Sequence, residues 1–248
     1  VLAFAAQEAH SFLDQLTDEE RQEVFDAFGP DENMQLYGRG LRRRLPTMLE
    51  GDQDRIRMVY SLVFSLPGTP VIFYGEEIGM GENLDIEGRL SVRSPMQWSG
   101  STNGGFSTAH PADVTRPLVE GDYAPENLNV YDQRRDSDSL LNWFERLMRR
   151  RRETPEFGWG RTTILDTGNT EVLAHRCDWE GGSVMAIHNF ATARRTVTIE
   201  VGDASGPLED MLGSREGPKV ESGTVKLTIE GSGYRWFRLS SNAHPGAP

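Results

Sequence analysis

Ser65-Leu66-Pro67-Gly68-Thr69-Pro70-Val71-Ile72-Phe73-Tyr74-Gly75-Glu76-Glu77-Ile78-Gly79-Met80 is the stretch on which the fold turns. Upstream of it, Asp52 is placed to cap a helix whose apolar positions Ile56, Val59, Tyr60, Leu62, Val63 and Leu66 keep helical spacing until Pro67-Gly68 ends the pattern. After the turn at Pro67-Gly68-Thr69-Pro70, Val71-Ile72-Phe73-Tyr74 is a continuous β-branched and aromatic run stopped by Gly75, the composition of a strand buried on both faces. Helix, short turn and buried strand together make an α/β unit.

Working outward, Thr17-Asp18-Glu19-Glu20 has the form of a capping box and opens a short helix with Val24, Phe25 and Phe28 on one face and Gly29-Pro30 as its stop. A second helix is predicted from Leu41 to Leu49, bent or shortened by Pro46. Residues 76–136 are rich in Gly, Pro, Asn and Ser, a long loop with Arg93-Ser94-Pro95-Met96-Gln97-Trp98 as its compact aromatic motif. Asp136 or Ser137 then caps a helix with the stripe Leu140, Leu141, Phe144, Leu147 and Met148, and Arg149 to Arg152 sit in its last turns as a solvated, dipole-matched end. Beyond Gly158 the pattern becomes short alternating strands: Val172 to His175, Val184 to His188, Thr196 to Val201, Val225 to Ile229 and Tyr234 to Leu239.

The 248 residues carry 26 Lys and Arg against 38 Asp and Glu, and the net charge of −12 repels a phosphate backbone, which argues against a nucleic-acid partner. A neutral ligand such as a sugar is compatible with that charge. Cys177 is the only cysteine, so no intrachain disulfide forms and the cytoplasm is the default location. No apolar run reaches the roughly 18 residues of a membrane helix. The chain opens on Val1 rather than Met, which is expected of a piece cut from something longer.

The stretch from Ser65 to Met80 closely resembles the eighth barrel strand and following loop of α-amylase-family glycoside hydrolases. Arg93-Ser94-Pro95-Met96-Gln97-Trp98, followed by Asn103-Gly104-Gly105-Phe106-Ser107, resembles the motif shared by trehalose synthases and related α-glucosidases of that family. The resemblance implies α/β plus all-β architecture: the C-terminal fragment of a (β/α)8 TIM barrel over residues 1–157, an antiparallel β-sandwich over 158–240 and a disordered tail over 241–248. It further implies a retaining mechanism with two carboxylates, an α-glucoside or maltose-type sugar as the full-length relative's substrate, and no cofactor. The family's nucleophile and acid/base would precede Val1, and its third carboxylate would fall where Gln7, Glu8 and Ala9 stand, with Ala9 in place of the Asp. Glu8 and His10 are poor replacements, because a one-residue slip at a strand end reverses a side chain. No catalytic residue is therefore carried over, and the isolated chain is expected to be inactive.

Among single residues, Glu76 and Glu77 are adjacent and point apart on an extended chain, so together with Tyr74 they are expected to support the loop at the barrel mouth rather than act as an acid/base pair. Trp98 and Gln97 suit a glucosyl ring, one by stacking and the other by reading hydroxyls, or else anchor the loop; Arg93 joins them as a substrate contact or as an ion pair holding the same loop. His175 and His188 alternate within strands as ordinary sandwich residues, and no metal-ligand spacing is present. Trp143, Trp159, Trp179 and Trp236 are read as packing residues or as a sugar-binding patch. The alternative to an enzyme part is a non-catalytic module that completes an upstream barrel half or a homologous chain, or binds glucan weakly.

Overall fold

The computed structural model describes residues 15–37, 40–213 and 216–240. The expectations for Gln7, Glu8, Ala9, His10 and the tail 241–248 lie outside the described residues. The described chain divides into two units, one holding the residues up to Ile56 with Val71–Glu145, the other Arg57–Pro70 with Arg146 onward.

In the first unit, α1 (Asp18–Phe28) opens with the reciprocal capping box: Glu20 N–H donates to Thr17 Oγ1 at 3.2 Å and Thr17 N–H to Glu20 Oε2 at 2.9 Å. A short antiparallel pair, β1 (Gln35–Leu36) and β2 (Gly40–Leu41), leads into α2 (Leu45–Met48). The helix predicted from Leu41 is thus cut to one turn. Pro46 lies in the first turn of α2, where a missing N–H costs nothing, so it starts the helix instead of bending it. Next comes α3 (Gln53–Ser65), which from Arg57 on belongs to the second unit, with Asp52 Oδ1 accepting from the N–H groups of Asp54 and Arg55 at 3.0 and 3.1 Å.

Val71-Ile72-Phe73-Tyr74 pairs with no strand among the described residues, contrary to expectation, and Val71 is 59% exposed. A buried strand needs a neighbour on each side to take its N–H and C=O groups, and no barrel closes here. The loop that follows is nevertheless well tied down. Arg44, wholly buried, donates to the Tyr74 carbonyl at 3.0 Å, the Glu76 carboxylate at 3.2 Å and the Val92 carbonyl at 2.8 Å, and its guanidinium lies 5.1 and 5.5 Å from the ring centres of Phe73 and Tyr74. Arg43 ion-pairs with Glu82 at 3.1 Å, whose other oxygen accepts from Arg44 N–H and the Thr47 hydroxyl. Arg42 donates to the carbonyls of Leu84 and Ile86. Beneath the loop, Ile78, Met80, Met96, Val119 and Val130 form a small apolar cluster.

In the second unit a six-stranded antiparallel sheet has the order β3-β4-β5-β10-β7-β8, with β3 Arg161–Leu165, β4 Val172–Trp179, β5 Gly182–Asn189, β7 Gly206–Asp210, β8 Glu216–Val220 and β10 Tyr234–Leu239. A two-stranded sheet pairs β6 (Arg195–Glu200) with β9 (Thr224–Ile229). Val172, Ala174, Met185, Ile187, Leu208, Phe237 and Leu239 from the large sheet share one core with Val197, Ile199, Val225, Leu227 and Ile229 from the small one, the expected sandwich. Strands β3, β7 and β8 were not foreseen: β3 is mostly exposed, and β7 and β8 carry Gly206, Pro207, Gly217 and Pro218, which read as loop, with an irregular register near Pro207.

The other face of the large sheet carries a buried polar seam. Trp236 Nε1–H donates to Ser61 Oγ at 3.0 Å, His188 Nε2 lies 3.1 Å from the same hydroxyl, and His175 Nε2–H donates to the Ser65 carbonyl at 2.9 Å. The two imidazoles stack at 6.2 Å. They are therefore not ordinary sandwich residues but the link from sheet to the last turns of α3. Arg151, from α5 (Leu140–Arg152), which follows the one-turn α4 (Val130–Gln133), donates to the carbonyls of Phe64, Leu66 and Gly68 at 2.8, 3.0 and 2.5 Å, so one member of the basic run caps α3 instead of facing solvent. Met148, expected in the buried stripe, is exposed, while Leu140, Phe144 and Leu147 are buried.

Replacing Arg44 by Met leaves Glu76 buried without its cation and is expected to cost about 3–5 kcal/mol, whereas the Arg44→Met, Glu76→Leu pair recovers most of that. Urea unfolding measures both, and an unchanged midpoint in the single variant would contradict the tie. Burial pushes His188 down to about 3, helped by the neighbouring His175, and burial also lowers His175 against the opposing Ser65 bond. Since the unfolded histidines protonate near the ordinary value of about 6.5, the unfolded chain binds more protons below it. Stability is then full above that value and falls by about 1.4 kcal/mol per pH unit per histidine as pH drops towards the folded value. Thermal unfolding between pH 7 and 4.5 should show a shallower loss for His188→Gln than for the parent chain.

Candidate sugar-binding cleft

Within the first unit a cleft of about 450 Å³ is lined by Tyr74, Glu77, Arg93 to Met96, Trp98, Phe106 and Val114 to Arg116. Of the residues singled out in the sequence, Tyr74, Glu77, Arg93 and Trp98 meet here; Gln97 and Glu76 do not. Gln97 is fully buried, and its amide donates to the carbonyls of Tyr123 at 3.0 Å and Leu128 at 2.5 Å, so it staples two loop segments. Glu76 is the buried partner of Arg44.

Glu76–Ile78 is one turn of 3-10 helix between left-handed Gly75 and Gly79, so the two glutamates diverge for a helical reason rather than the extended-chain one anticipated. The consequence is the same: Glu76 turns into the protein and Glu77 towards the cleft. Glu77 Oε2 is buried with no hydrogen-bond partner among the described residues. Tyr74 holds the opposite lip by donating its hydroxyl to the Ser94 carbonyl at 2.8 Å.

Trp98 is 49% exposed and Phe106 56%, unusual for rings of that size at the mouth of a concave surface. The local chain explains their meeting. Asn103, Gly104 and Gly105 are all left-handed, and the Gly104 carbonyl accepts from the N–H groups of Trp98 and Ser99 at 2.8 and 3.0 Å. A Cβ on Gly105 would lie 2.5 Å from Ser99 Oγ, so the Asn-Gly-Gly sequence is what allows the chain to fold back and bring Phe106 beside Trp98. Phe106 and Arg116 were missed as lining residues; the Asn103-Gly104-Gly105 triplet was the available signal for the first, and nothing local marks the second. Arg93 is exposed and Arg116 half-buried, and neither has a carboxylate partner among the described residues.

Chemically the cleft offers three aromatic rings, Tyr74, Trp98 and Phe106, two guanidinium groups and the Glu77 carboxylate. A single carboxylate, Glu77, lines it among the described residues. No group of three or more His, Cys, Asp or Glu side chains there could hold a metal ion.

Residues 34–160 match the family model of the alpha amylase catalytic domain, and residues 181–238 that of the sucrose hydrolase-like C-terminal domain. A trehalose synthase/amylase of Mycobacterium tuberculosis is 34% identical over 242 residues, covering 95% of this chain and 40% of the relative. A trehalose synthase of Thermus thermophilus is 35% identical over 231 residues, covering 92% of this chain and 24% of the relative. The crystal structure of an alpha-amylase from H. orenii superposes with a TM-score of 0.61 at 26% identity, covering 80% of this chain and 38% of that one. The chain thus spans 40% or less of the length of these relatives. It belongs to the α-amylase family and is homologous to its trehalose synthases.

Proposed function

We propose that this chain forms one wall of the sugar site of an enzyme acting on α-glucosidic bonds, by trehalose-synthase-like rearrangement of maltose or by hydrolysis, without carrying the catalytic pair. The observation behind this reading is the exposed Trp98 beside Arg93 and Glu77 in one cleft. A pyranose has an apolar C–H face and an equatorial rim of hydroxyls. An indole receives the first; a guanidinium donor and a carboxylate acceptor receive the second. The buried Glu77 Oε2 without a protein partner is an acceptor available for such a hydroxyl.

A retaining glycosidase needs two carboxyl groups about 5–5.5 Å apart across the scissile bond. Glu77 alone lines the cleft, and Glu76 is held away by Arg44, so these residues bind and orient but cannot complete the displacement. The second reading is a module that completes a partner, an upstream barrel half or a homologous chain. It draws support from Val71–Tyr74, a strand-like sequence whose backbone finds no ladder among the described residues. No helix among those residues is long and apolar enough to cross a membrane, and the buried thiol of Cys177 fits the cytoplasm.

Titration of the chain with maltose should perturb Trp98 fluorescence, and Trp98→Ala should weaken binding by about tenfold or more. An unaltered affinity in that variant would remove the cleft from consideration. Incubation of the purified chain with maltose or a nitrophenyl α-glucoside should give no turnover. Hydrolysis or trehalose formation abolished by Glu77→Gln would overturn the non-catalytic assignment.

A further inference from the structure

Arg93 and Arg116 line one cleft, and neither guanidinium has a hydrogen-bond acceptor or a carboxylate partner among the described residues. Other arginines of the same unit are fully engaged: Arg42, Arg43 and Arg44 each hold carbonyls or a carboxylate. The two free cations are nevertheless rooted on fixed backbone. Arg93 N–H donates to the Leu90 carbonyl at 3.0 Å, and the Val92 carbonyl just before it accepts from Arg44 at 2.8 Å. Two residues beyond Arg116, the Leu118 carbonyl accepts from Asn83 Nδ2 at 3.1 Å, and the next residue, Val119, is buried in the apolar cluster.

A compact hollow of about 450 Å³ is roughly 10 Å across, close to the screening length at ordinary salt, so both charges act on a single ligand. Glu77, the carboxylate on the described lining, pairs with neither arginine. Two cations against one anion leave this hollow positive within a chain of net charge −12. A neutral sugar closing over it would strip water from both guanidinium groups without neutralising either, a cost that an opposing charge offsets. A phosphate ester supplies that charge. It also presents several acceptor oxygens to the planar donor fork of arginine, which a hydroxyl cannot match.

We propose that the cleft selects a phosphorylated α-glucoside, with the sugar ring on Trp98 and the phosphate held by Arg93 and Arg116. The sugar part rests on the function proposed above; the charge of the ligand rests on the arginine pair. A sugar acid fits less well, because a carboxylate carries less charge and fewer acceptor oxygens than a phosphate ester.

The test follows the Trp98 indole N–H resonance of the full chain by NMR during separate titrations with glucose 6-phosphate, α-glucose 1-phosphate, glucuronate, glucose, maltose and inorganic phosphate. At least one ester should shift Trp98 and bind about tenfold or more tighter than glucose, with that advantage shrinking as salt is added. Arg93→Gln or Arg116→Gln should lower the ester-to-glucose affinity ratio by about tenfold, and Arg116→Lys should keep part of it. Thermal unfolding checks that each variant is folded. Equal affinity for ester and glucose would overturn the proposal, as would an ester advantage that survives both glutamine variants. Inorganic phosphate or glucuronate binding as tightly as the ester would overturn it too. If maltose moves Trp98 and no ester outbinds glucose, the sugar cleft stands and this proposal alone fails. If neither maltose nor an ester moves Trp98, both fall.

Discussion

A guanidinium cut off from water keeps its charge only where a carboxylate and several carbonyls converge on it, and Arg44 meets that requirement with Glu76, Tyr74 and Val92. Those partners are 30 to 48 residues away in the chain. Satisfying one side chain therefore fixes both ends of the loop that starts at Tyr74. The neighbouring arginines repeat the device, Arg43 through Glu82 and Arg42 through Leu84 and Ile86. A long segment with almost no regular secondary structure is positioned by these charged tethers and a small apolar cluster instead of by a ladder. The cleft inherits its shape from them: Tyr74, Glu77 and Arg93 all lie on tethered backbone.

In the second unit the organising polar groups are fewer and more deeply buried. Ser61 serves Trp236 and His188 at once, and Ser65 serves His175. Hydrophobic contact alone would let a helix slide over a sheet at little cost, whereas each unmade bond here leaves a dry donor or acceptor. The seam specifies one register for the last turns of α3 on the sheet. Arg151 adds to this by taking the carbonyls with which α3 ends.

How much of this was legible depends on the range of the physics. Thr17-Asp18-Glu19-Glu20 and Asp52 gave helix starts because a cap is a contact between residues two or three apart. The central strands of the sandwich were legible through their apolar alternation. Strands β7 and β8 were not, because Gly206, Pro207, Gly217 and Pro218 signal turns locally and become strand only when a neighbour supplies the ladder. In the cleft, Trp98 and Arg93 were legible by residue type. Gln97 stayed open between sugar contact and loop anchor, because an amide suits a sugar hydroxyl and a backbone carbonyl equally; its burial and its bonds to two loop carbonyls show the anchor.

The sequence by itself determined the family, the helix caps, the run of sandwich strands and the presence of the Met96-Gln97-Trp98 motif, all of which rest on residues close together in the chain. The tertiary structure decided which glutamate faces the cleft, that Arg151 caps a distant helix, that His175 and His188 link helix to sheet, and that Arg116 shares a cleft with Arg93. Each of these depends on whether a charge or a ring is covered by residues tens of positions away. That is settled by the desolvation of the packed unit, and no local pattern of residues encodes it.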